Sequence, residues 1–239
     1  MKLSLPIGFK KISKDFNYAK VNQLQSYLST NFNSNVFLLV EHPPTYTIGR
    51  RMKVKILESE LRKKGADYHA SLRGGQITFH GPGQLVGYPI IDLRHYKLGV
   101  RDYVCRLEKS LIATCKEFGI KANTTDDTGV WIENRKIAAL GIHIQRYITS
   151  HGFALNCNTD LSWFDHIVPC NLPGKYATSI SKELSLNGTK VNVTIDDVIP
   201  IVVKQFAQHM NTDVVPLSSI NPSLDREIDV FLNTSNINQ

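Results

Sequence analysis

The feature that most constrains the fold of this sequence is residues 67–92, where turn-forming and strand-forming residues alternate. A Gly-Gly pair at 74–75 precedes the alternating run 76–80, and a Gly-Pro-Gly turn at 81–83 precedes the apolar run 84–91. Glycine and proline interrupt helices, and a hydrophobic period of two is typical of strands. This stretch therefore predicts short β-strands joined by tight turns, around which the rest of the chain must pack.

Hydrophobic spacing elsewhere in the chain predicts both helices and further strands. The clearest helix covers residues 100–118, where apolar residues recur every three or four positions and Gly119 supplies a natural helix end. Thr194 and Asp197 have the spacing of a capping box that opens a last helix toward Met210. The other predicted elements are a helix over 15–30, strands over 36–41, 45–48 and 152–157, and a hairpin of 129–133 and 136–148 about Asn134-Arg135.

The organisation of the chain is that of one domain, because no internal repeat or flexible linker divides its 239 residues. A chain of this length buries roughly 70–75% of its unfolded surface, so it needs no disulfide or metal for stability. We predict a single α+β domain over residues 1–239, with helices covering one face of a mixed, largely antiparallel sheet. Residues 233–239 are polar and are expected to fray.

The net charge of +7 favours an acidic partner, which can be nucleic acid, a membrane surface or an acidic protein. No zinc-finger or RNP-like motif occurs in the sequence, and the basic residues are dispersed, so a nucleic-acid binder is the weakest alternative. No apolar run approaches the ~18 residues of a membrane span, so no membrane span is predicted.

Two features of the sequence bear on the cellular compartment. The four cysteines contain no Cys-x-x-Cys pair, which favours free thiols in a reducing environment. The first 14 residues carry four lysines and no acid, which resembles a transit peptide, although arginine and an apolar stripe are lacking. A basic strand and loop explains the same residues equally well.

Among the cysteines, only Cys170 is a candidate nucleophile. Cys115 lies on the apolar stripe of the 100–118 helix and Cys105 lies off it, while Cys157 ends a strand as a small core residue. Cys170 stands between two prolines on a predicted rigid turn, where a thiol can be presented for attack. His166 could serve as its base, although a local hydrogen bond is the simpler explanation for this histidine.

Lys136 opens an apolar run of small residues over 136–141. Most lysines lie on solvated faces, so a solvated position is the ordinary alternative for Lys136 as for any single lysine. A lysine held against apolar strand residues, however, would be partly desolvated. Desolvation favours the neutral amine, which could act as a base or steady a neighbouring anion.

The glycine-rich segment 73–83 is a candidate binding wall, because Arg73 and His80 stand at the two ends of its strand. Two tight turns around an ordinary strand would account for the glycines alone. The segment lacks the lysine of a G-x-x-x-x-G-K-[ST] loop, so a phosphate cradle is poorly supported. The histidines offer no metal-ligand spacing, and no metal site is predicted.

Several of these segments together resemble the octanoyltransferases, the lipoyl(octanoyl) transferases of lipoate biosynthesis. One segment that carries the resemblance is Arg-Gly-Gly-Gln-Ile-Thr-Phe-His-Gly-Pro-Gly at 73–83. The matches occur in family order and cover about residues 36–181. The segments that carry it are 73–86, 136–141, 150–156, 160–162 and 167–170. The run 156–168 is similar to animal members of the family, which are mitochondrial.

The resemblance implies a fold shared with lipoate–protein and biotin–protein ligases. It implies transfer of an octanoyl group from octanoyl-acyl carrier protein to a lysine of lipoyl domains, those of 2-oxoacid dehydrogenase E2 subunits and the glycine cleavage H protein. No cofactor and no ATP are implied, the expected location is mitochondrial (cytoplasmic for a bacterial source), and a monomer is expected.

The residue roles implied by the resemblance are catalytic and substrate-binding. Cys170 would carry the acyl thioester, with Lys136 as its partner. The implied substrate contacts are Arg73, Gly74, Gly75, Gln76, Ile77, Thr78, Phe79, His80, Ala139, Leu140, Gly141, Gly152, Phe153 and Ala154.

One departure from the family pattern is Asn171, which stands where the family usually has glycine. Asparagine tolerates left-handed backbone better than most residues, so the turn can survive the change. Two rival interpretations stay open: an ATP-dependent lipoate–protein ligase on the same scaffold, and a non-catalytic protein that binds lipoyl domains or acyl carriers.

Overall fold

The computed structural model describes residues 5–13, 16–50, 55–167 and 174–234. The strands are β1 Ile7–Ile12, β2 Val36–Val40, β3 Thr45–Ile48, β4 Asp67–Ala70, β5 Thr78–His80, β6 Gln84–Ile90, β7 Val130–Ile132, β8 Arg135–Gln145, β9 Ile148–Asn156, β10 Tyr176–Ala177 and β11 Val214–Pro216. The α-helices are α1 Tyr18–Thr30, α2 Lys55–Lys63, α3 Val100–Glu117, α4 Ile180–Leu186, α5 Ile195–Met210, α6 Leu217–Ile220 and α7 Pro222–Asn233. Short 3₁₀ helices cover Leu93–Tyr96 and Leu161–His166.

Two mixed sheets organise these elements, which confirms the α+β class. The larger sheet has the order β10-β8-β9-β6-β2-β1-β11, with β7 paired to β8 as well. Its centre, from β8 through β9 and β6 to β2, is antiparallel. Its margins are parallel, where β1 pairs with β2 and β11, and β10 pairs with β8. The smaller sheet has the order β4-β3-β5.

Helices cover both faces of the larger sheet, so the prediction that they cover one face was wrong. Phe37 and Leu39 of β2 belong to a core with α3 and α5, whereas Val36, Leu38 and Val40 belong to a core with α1 and α7. All five residues of β2 are therefore buried. An uninterrupted apolar strand is typical of a sheet that is covered on both sides.

The β8–β9 hairpin corrects the predicted boundaries in this part of the chain. The predicted strand 136–148 is two strands, separated by a turn in which Arg146 and Tyr147 both have positive φ, 51° and 68°. Such two-residue turns usually contain Asn-Gly, and no such signal marks this one in the sequence. The earlier turn is also shifted by one residue, because Arg135 already pairs within β8 and Glu133 takes the positive φ.

Helix ends agree with the capping rules used on the sequence. Thr194 and Asp197 form a reciprocal capping box at the start of α5, as predicted. Helix α3 ends at Glu117, and Gly119 follows with a φ of +73°. The C-terminal helix α7 was not predicted, although Asn221 caps it and Pro222 stands at its first turn. Residues 235–239, most of the predicted frayed tail, lie outside the described residues.

Candidate active site

A cavity of about 220 Å³ lies between the larger sheet and the segment that leads into β5. Strands β6, β8 and β9 and residues 73–80 contribute most of its wall, and α1 adds Tyr18. Most of the residues singled out from the sequence share this cavity although they are distant along the chain. Those that line it are Lys136, Arg73, Gly75, Gln76, Ile77, Thr78, His80, Ala139, Leu140, Gly141, Gly152, Phe153 and Ala154.

Two predicted substrate contacts, Gly74 and Phe79, do not line the cavity. Gly74 donates its backbone N–H to the Ile142 carbonyl at 3.0 Å, which ties the loop to β8. Phe79 is fully buried in the core of the smaller sheet, where its ring stacks on Trp163 at 5.1 Å between centroids. Both residues therefore support the wall from behind.

Cys170, the predicted nucleophile, lies outside the described residues, and so does Asn171. The chain is described again from Gly174, and Tyr176 and Ala177 of the following strand β10 line the cavity. The other three cysteines are described as free thiols, with Cys115 and Cys157 buried and Cys105 partly exposed. Burial raises the pKa of the Cys115 thiol to about 12, and the pKa of Cys157 is raised by the same cause. Neither of these two buried thiols is suited to nucleophilic attack.

Lys136 projects into the cavity from an irregular point of β8. Trp131 pairs with Lys136 and Val130 pairs with Ala138, so Ile137 is an extra residue between them. Such a bulge re-aims side chains, and here Lys136 lines the cavity while Ile137 and Ala138 lie in the core. The strand thus presents one lysine from an apolar run.

The contacts of the Lys136 ammonium include a backbone oxygen and an aromatic ring. Its Nζ donates to the Thr128 carbonyl oxygen at 3.1 Å and lies 4.5 Å from the centre of the Trp131 ring. The residue is only 9% exposed. Gly129 leaves the necessary room, since a Cβ there would come within 3.1 Å of the Lys136 Cε and 2.8 Å of the Ala138 oxygen. Lys136 is therefore held in a fixed position against Trp131, close to the apolar residues of β8.

Arg73 binds the loop to the smaller sheet. Its Nη2 donates to the carbonyl oxygens of Thr47 and Gln76 at 2.6 and 2.8 Å, and its Nη1 donates to the Gly74 oxygen at 2.9 Å. The guanidinium is therefore largely engaged with protein carbonyls. It places a buried positive charge beside the cavity, at a residue only 7% exposed.

His80 is neutral and has both ring nitrogens engaged within the protein. Gln84 uses its amide N–H groups on Phe79 and Asn156, so its oxygen accepts from the His80 Nδ1 at 2.8 Å. The His80 Nε2 then accepts from the Thr47 hydroxyl at 3.1 Å. Burial, reinforced by the charge of Arg73, lowers the pKa of His80 to about 4. We infer a wall-forming role for His80 and no role as a base.

The same hydrogen bonds extend from the cavity to the chain that follows Cys170. Asn156 donates to the Thr178 carbonyl at 2.8 Å, and the Thr178 hydroxyl donates to Glu183 of α4 at 2.5 Å. Glu183 also pairs with Arg135, whose Nε donates to it at 2.9 Å. The backbone N–H of Thr178 donates to the Lys136 carbonyl at 2.9 Å. This network fixes residues 176–178 against the strand that carries Lys136.

Further polar residues line the cavity that were not singled out as site residues. They are Tyr18, Gln84, Tyr88, His151 and Asn156, with Asp127 and Thr128 near Lys136. Tyr88 shares a 2.9 Å hydrogen bond with the buried His42. These further cavity residues come from α1, β6, β9 and a loop. The sequence identified the segments that contain them but not their place in the cavity wall. Across the described parts of the chain, no group of three His, Cys, Asp or Glu side chains could hold a metal ion, and no helix there is long and apolar enough to cross a membrane.

The family model of the lipoyl protein ligase A/B catalytic domain matches residues 16–207 of the chain. The mitochondrial octanoyl-[acyl-carrier-protein]:protein N-octanoyltransferase of Danio rerio is 51% identical over 191 residues, which are 79% of this chain and 83% of that protein. The octanoyltransferase of Koribacter versatilis is 41% identical over 90% of this chain and 88% of that protein.

The fold is also that of solved ligase structures. A putative lipoate protein ligase from T. acidophilum with bound lipoic acid superposes with a TM-score of 0.70 at 14% identity, and the match covers 95% of each chain. At this identity the likeness concerns the fold alone. From the family model and the high identity to its relatives, we conclude that the chain belongs to the octanoyltransferase family, with a lipoyl protein ligase A/B catalytic domain.

Proposed function

We propose that this chain transfers an octanoyl group from octanoyl-acyl carrier protein to a lysine of lipoyl domains, through an octanoyl thioester on Cys170. The acyltransferase activity follows from its family, and the covalent route is the finer proposal. The single observation that supports it is the position of Lys136, a buried ammonium at the wall of a largely apolar cavity. That position suits a group that handles charge and protons next to an acyl chain.

The first half-reaction exchanges one thioester for another. The Cys170 thiolate attacks the carbonyl carbon of the donor thioester, a new S–C bond forms, and the bond to the carrier thiol breaks. An unperturbed cysteine is only a few per cent thiolate at pH 7, and a neighbouring ammonium favours the thiolate. The carrier leaves as a thiolate, which takes up the proton released from Cys170. The bonds broken and formed are alike, so no energy source such as ATP is required.

The second half-reaction forms the amide. The lysine amine of the lipoyl domain must be neutral to attack the thioester carbonyl, and it loses a second proton as the C–N bond forms. The Lys136 ammonium can donate a proton to the departing Cys170 sulfur and, as the neutral amine, take the proton that the new amide nitrogen loses, which restores both the thiol and the ammonium. The hydrogen bond to the Thr128 carbonyl keeps the Nζ in one place through both steps.

The cavity wall offers the acyl chain a suitable environment. Val86, Leu140, Phe153 and Ala154 contribute an apolar surface, and the pocket volume of about 220 Å³ suits a medium-length linear chain. Each methylene that leaves water contributes ~0.8 kcal/mol, so a chain that fills the channel binds well. We assign the substrate contacts to the cavity residues Arg73 to His80, Ala139 to Gly141 and Gly152 to Ala154, with Gly74 and Phe79 supporting them.

The partners follow from the reaction. Acyl carrier protein and lipoyl-domain proteins are implied by an octanoyltransferase, and both classes are usually acidic, which agrees with the net charge of +7. The 2-oxoacid dehydrogenase E2 subunits and the glycine cleavage H protein are the proposed acceptors. We propose a mitochondrial location, as in the animal relatives, and a monomeric enzyme.

An intact-mass measurement tests the covalent route directly. The protein is incubated with octanoyl-acyl carrier protein in the absence of acceptor, and its mass is expected to increase by one octanoyl group. The adduct should be lost in Cys170→Ala and retained in Cys105→Ala, because Cys105 is the one partly exposed thiol among the described residues. The absence of an adduct on the wild type, or an undiminished adduct on Cys170→Ala, would overturn the proposal.

A further inference from the structure

The two ends of the cavity differ in chemistry. Lys136 stands at one end, beside Thr128 and Ala177. Six residues further along β8 is Ile142, which pairs with His151 of β9. Six strand residues correspond to roughly 20 Å, so His151 marks the opposite end of the channel. There the lining changes from apolar side chains to the polar ring groups of Tyr18, Tyr88 and His151.

His151 has an unusual backbone conformation within a regular hairpin. Its φ is +56°, in the left-handed region, although its neighbours in β9 continue the ladder with β8. A non-glycine residue in this region is strained and persists only where its surroundings fix it. The surroundings here include Gln25 of α1, a residue 2% exposed whose Oε1 accepts from the His151 backbone N–H at 2.8 Å.

The imidazole of His151 faces the cavity with its hydrogen-bonding capacity uncommitted. The residue is 5% exposed and lines the cavity, and its ring meets the Tyr88 ring edge-on at 6.2 Å. Neither ring nitrogen hydrogen-bonds to any side chain or backbone group in the described ranges. His80 differs in this respect, because both of its nitrogens are occupied. Burial, helped by the charge of Arg73, lowers the pKa of His151 to about 3.

We infer that the His151 ring, held on a strained backbone, closes the acyl channel and sets the longest acyl chain that this enzyme accepts. The inference rests on the proposed octanoyl transfer and names a specificity-determining residue for it. Each methylene of the acyl chain that contacts the apolar wall makes binding more favourable. This stabilisation ends where the chain meets the polar imidazole of His151. A longer chain must displace the ring, whose backbone is held by Gln25 and whose face is met edge-on by Tyr88.

The test is the chain-length profile of His151→Gly, because glycine accepts the left-handed φ without strain and removes the ring. We measure kcat/KM for octanoyl and decanoyl thioesters of acyl carrier protein, with a lipoyl domain as acceptor. The ratio of decanoyl to octanoyl activity should rise about fifteen-fold, which corresponds to two further buried methylenes at ~0.8 kcal/mol each. A second variant, His151→Asn, keeps a residue that tolerates positive φ and should give a smaller rise.

A matched control is His143→Gly, which removes a histidine from the same hairpin at a position that does not line the cavity. Its decanoyl to octanoyl ratio should equal that of the wild type. An unchanged ratio in both folded His151 variants, with wild-type transfer intact, would overturn the role of His151 alone. Failure of the wild type to transfer octanoyl at all would instead remove the proposed function.

Discussion

The two ends of the cavity are built in different ways. The end at Lys136 is local: a bulge in β8, the loop residue Thr128 and the neighbouring Trp131 fix the ammonium within a few residues of one hairpin. The opposite end is assembled from α1, the segment after β2, β6 and β9, which bring Tyr18, His42, Tyr88 and His151 together. Chemistry placed by one hairpin can be recognised from a short motif, whereas a boundary built from distant elements cannot.

The largest expected effect is the loss of acyl transfer when Lys136, at the first end of the cavity, is replaced. Lys136→Arg keeps a positive charge but removes a group that can lose a proton, since arginine stays protonated in proteins. Acyl transfer to the lipoyl domain should fall by about 10²- to 10⁴-fold, while some octanoyl-enzyme still forms. Steady-state turnover together with intact mass separates the two half-reactions.

Lys175→Arg is the matched control, because Lys175 also lies over the Trp131 ring, at 5.0 Å, but does not line the cavity. Its turnover should stay close to that of the wild type. Near-normal turnover in Lys136→Arg would remove Lys136 from the base role. The end of the cavity at Lys136 would then not be the place of proton transfer.

The second-largest effect is expected at low pH, which should lower the stability of the protein through the buried histidines at and near the polar end of the cavity. Burial is the main cause that lowers the pKa values of His42, His80 and His151, to about 4 for His80 and about 3 for His151. Unfolded histidines titrate near pH ~6.5, so the unfolded state binds more protons below that pH. Stability is therefore complete above pH ~6.5 and should fall by up to ~1.4 kcal/mol per pH unit for each buried histidine as the pH drops toward ~4.

Urea unfolding at several pH values between about 7 and 5 measures this slope. The variant His151→Asn carries one buried histidine fewer and should show a shallower loss. A free energy of unfolding that does not change over this range would contradict the neutral state assigned to His42, His80 and His151.

The network behind Lys136 should give the smallest of these effects. Burial by itself would raise the pKa of Glu183, but hydrogen bonds from Arg135 and Thr178 together hold it below its ordinary value. Glu183→Gln weakens the pairing with Arg135 and should lower the free energy of unfolding by about 1–3 kcal/mol. In the wild type this contribution is present above the ordinary glutamate pKa and is lost as the pH falls below it.

Glu133→Gln is the matched control, because Glu133 pairs with the same arginine but its side chain is 76% exposed. Exposed ion pairs contribute little, so its unfolding free energy should change by less than about 1 kcal/mol. Equal effects of the two substitutions in urea unfolding would show that the buried carboxylate has no special role in fixing residues 176–178.

The fold was predictable to the extent that its signals are local. The 3.6-residue spacing of α3, the capping box of α5 and the strand Thr45–Ile48 were all recognisable, because each depends on residues close in sequence. The tip of the β8–β9 hairpin was missed, since Arg146 and Tyr147 are not residues that favour positive φ. Helices on both faces were missed as well, although β2 is apolar throughout.

The site was predictable through its motifs, which identified segments but not contacts. Most of the residues marked in 73–80, 136–141 and 152–154 line one cavity, because β8 and β9 pair along their length and the first segment packs over them. Gly74 and Phe79 face away from it, and period and spacing alone could not distinguish them from their neighbours. The role of Cys170 stays a prediction.

The sequence by itself determined the family, the α+β class and the candidate pair of Cys170 and Lys136, since these depend on motifs and short-range patterns. Only the tertiary structure decided that Lys136 is held by Thr128 and Trp131, that His80 is neutral and fully engaged, and that His151 faces the cavity. Protonation, strain and the end of a channel depend on what surrounds a side chain in space, and no local pattern encodes those neighbours.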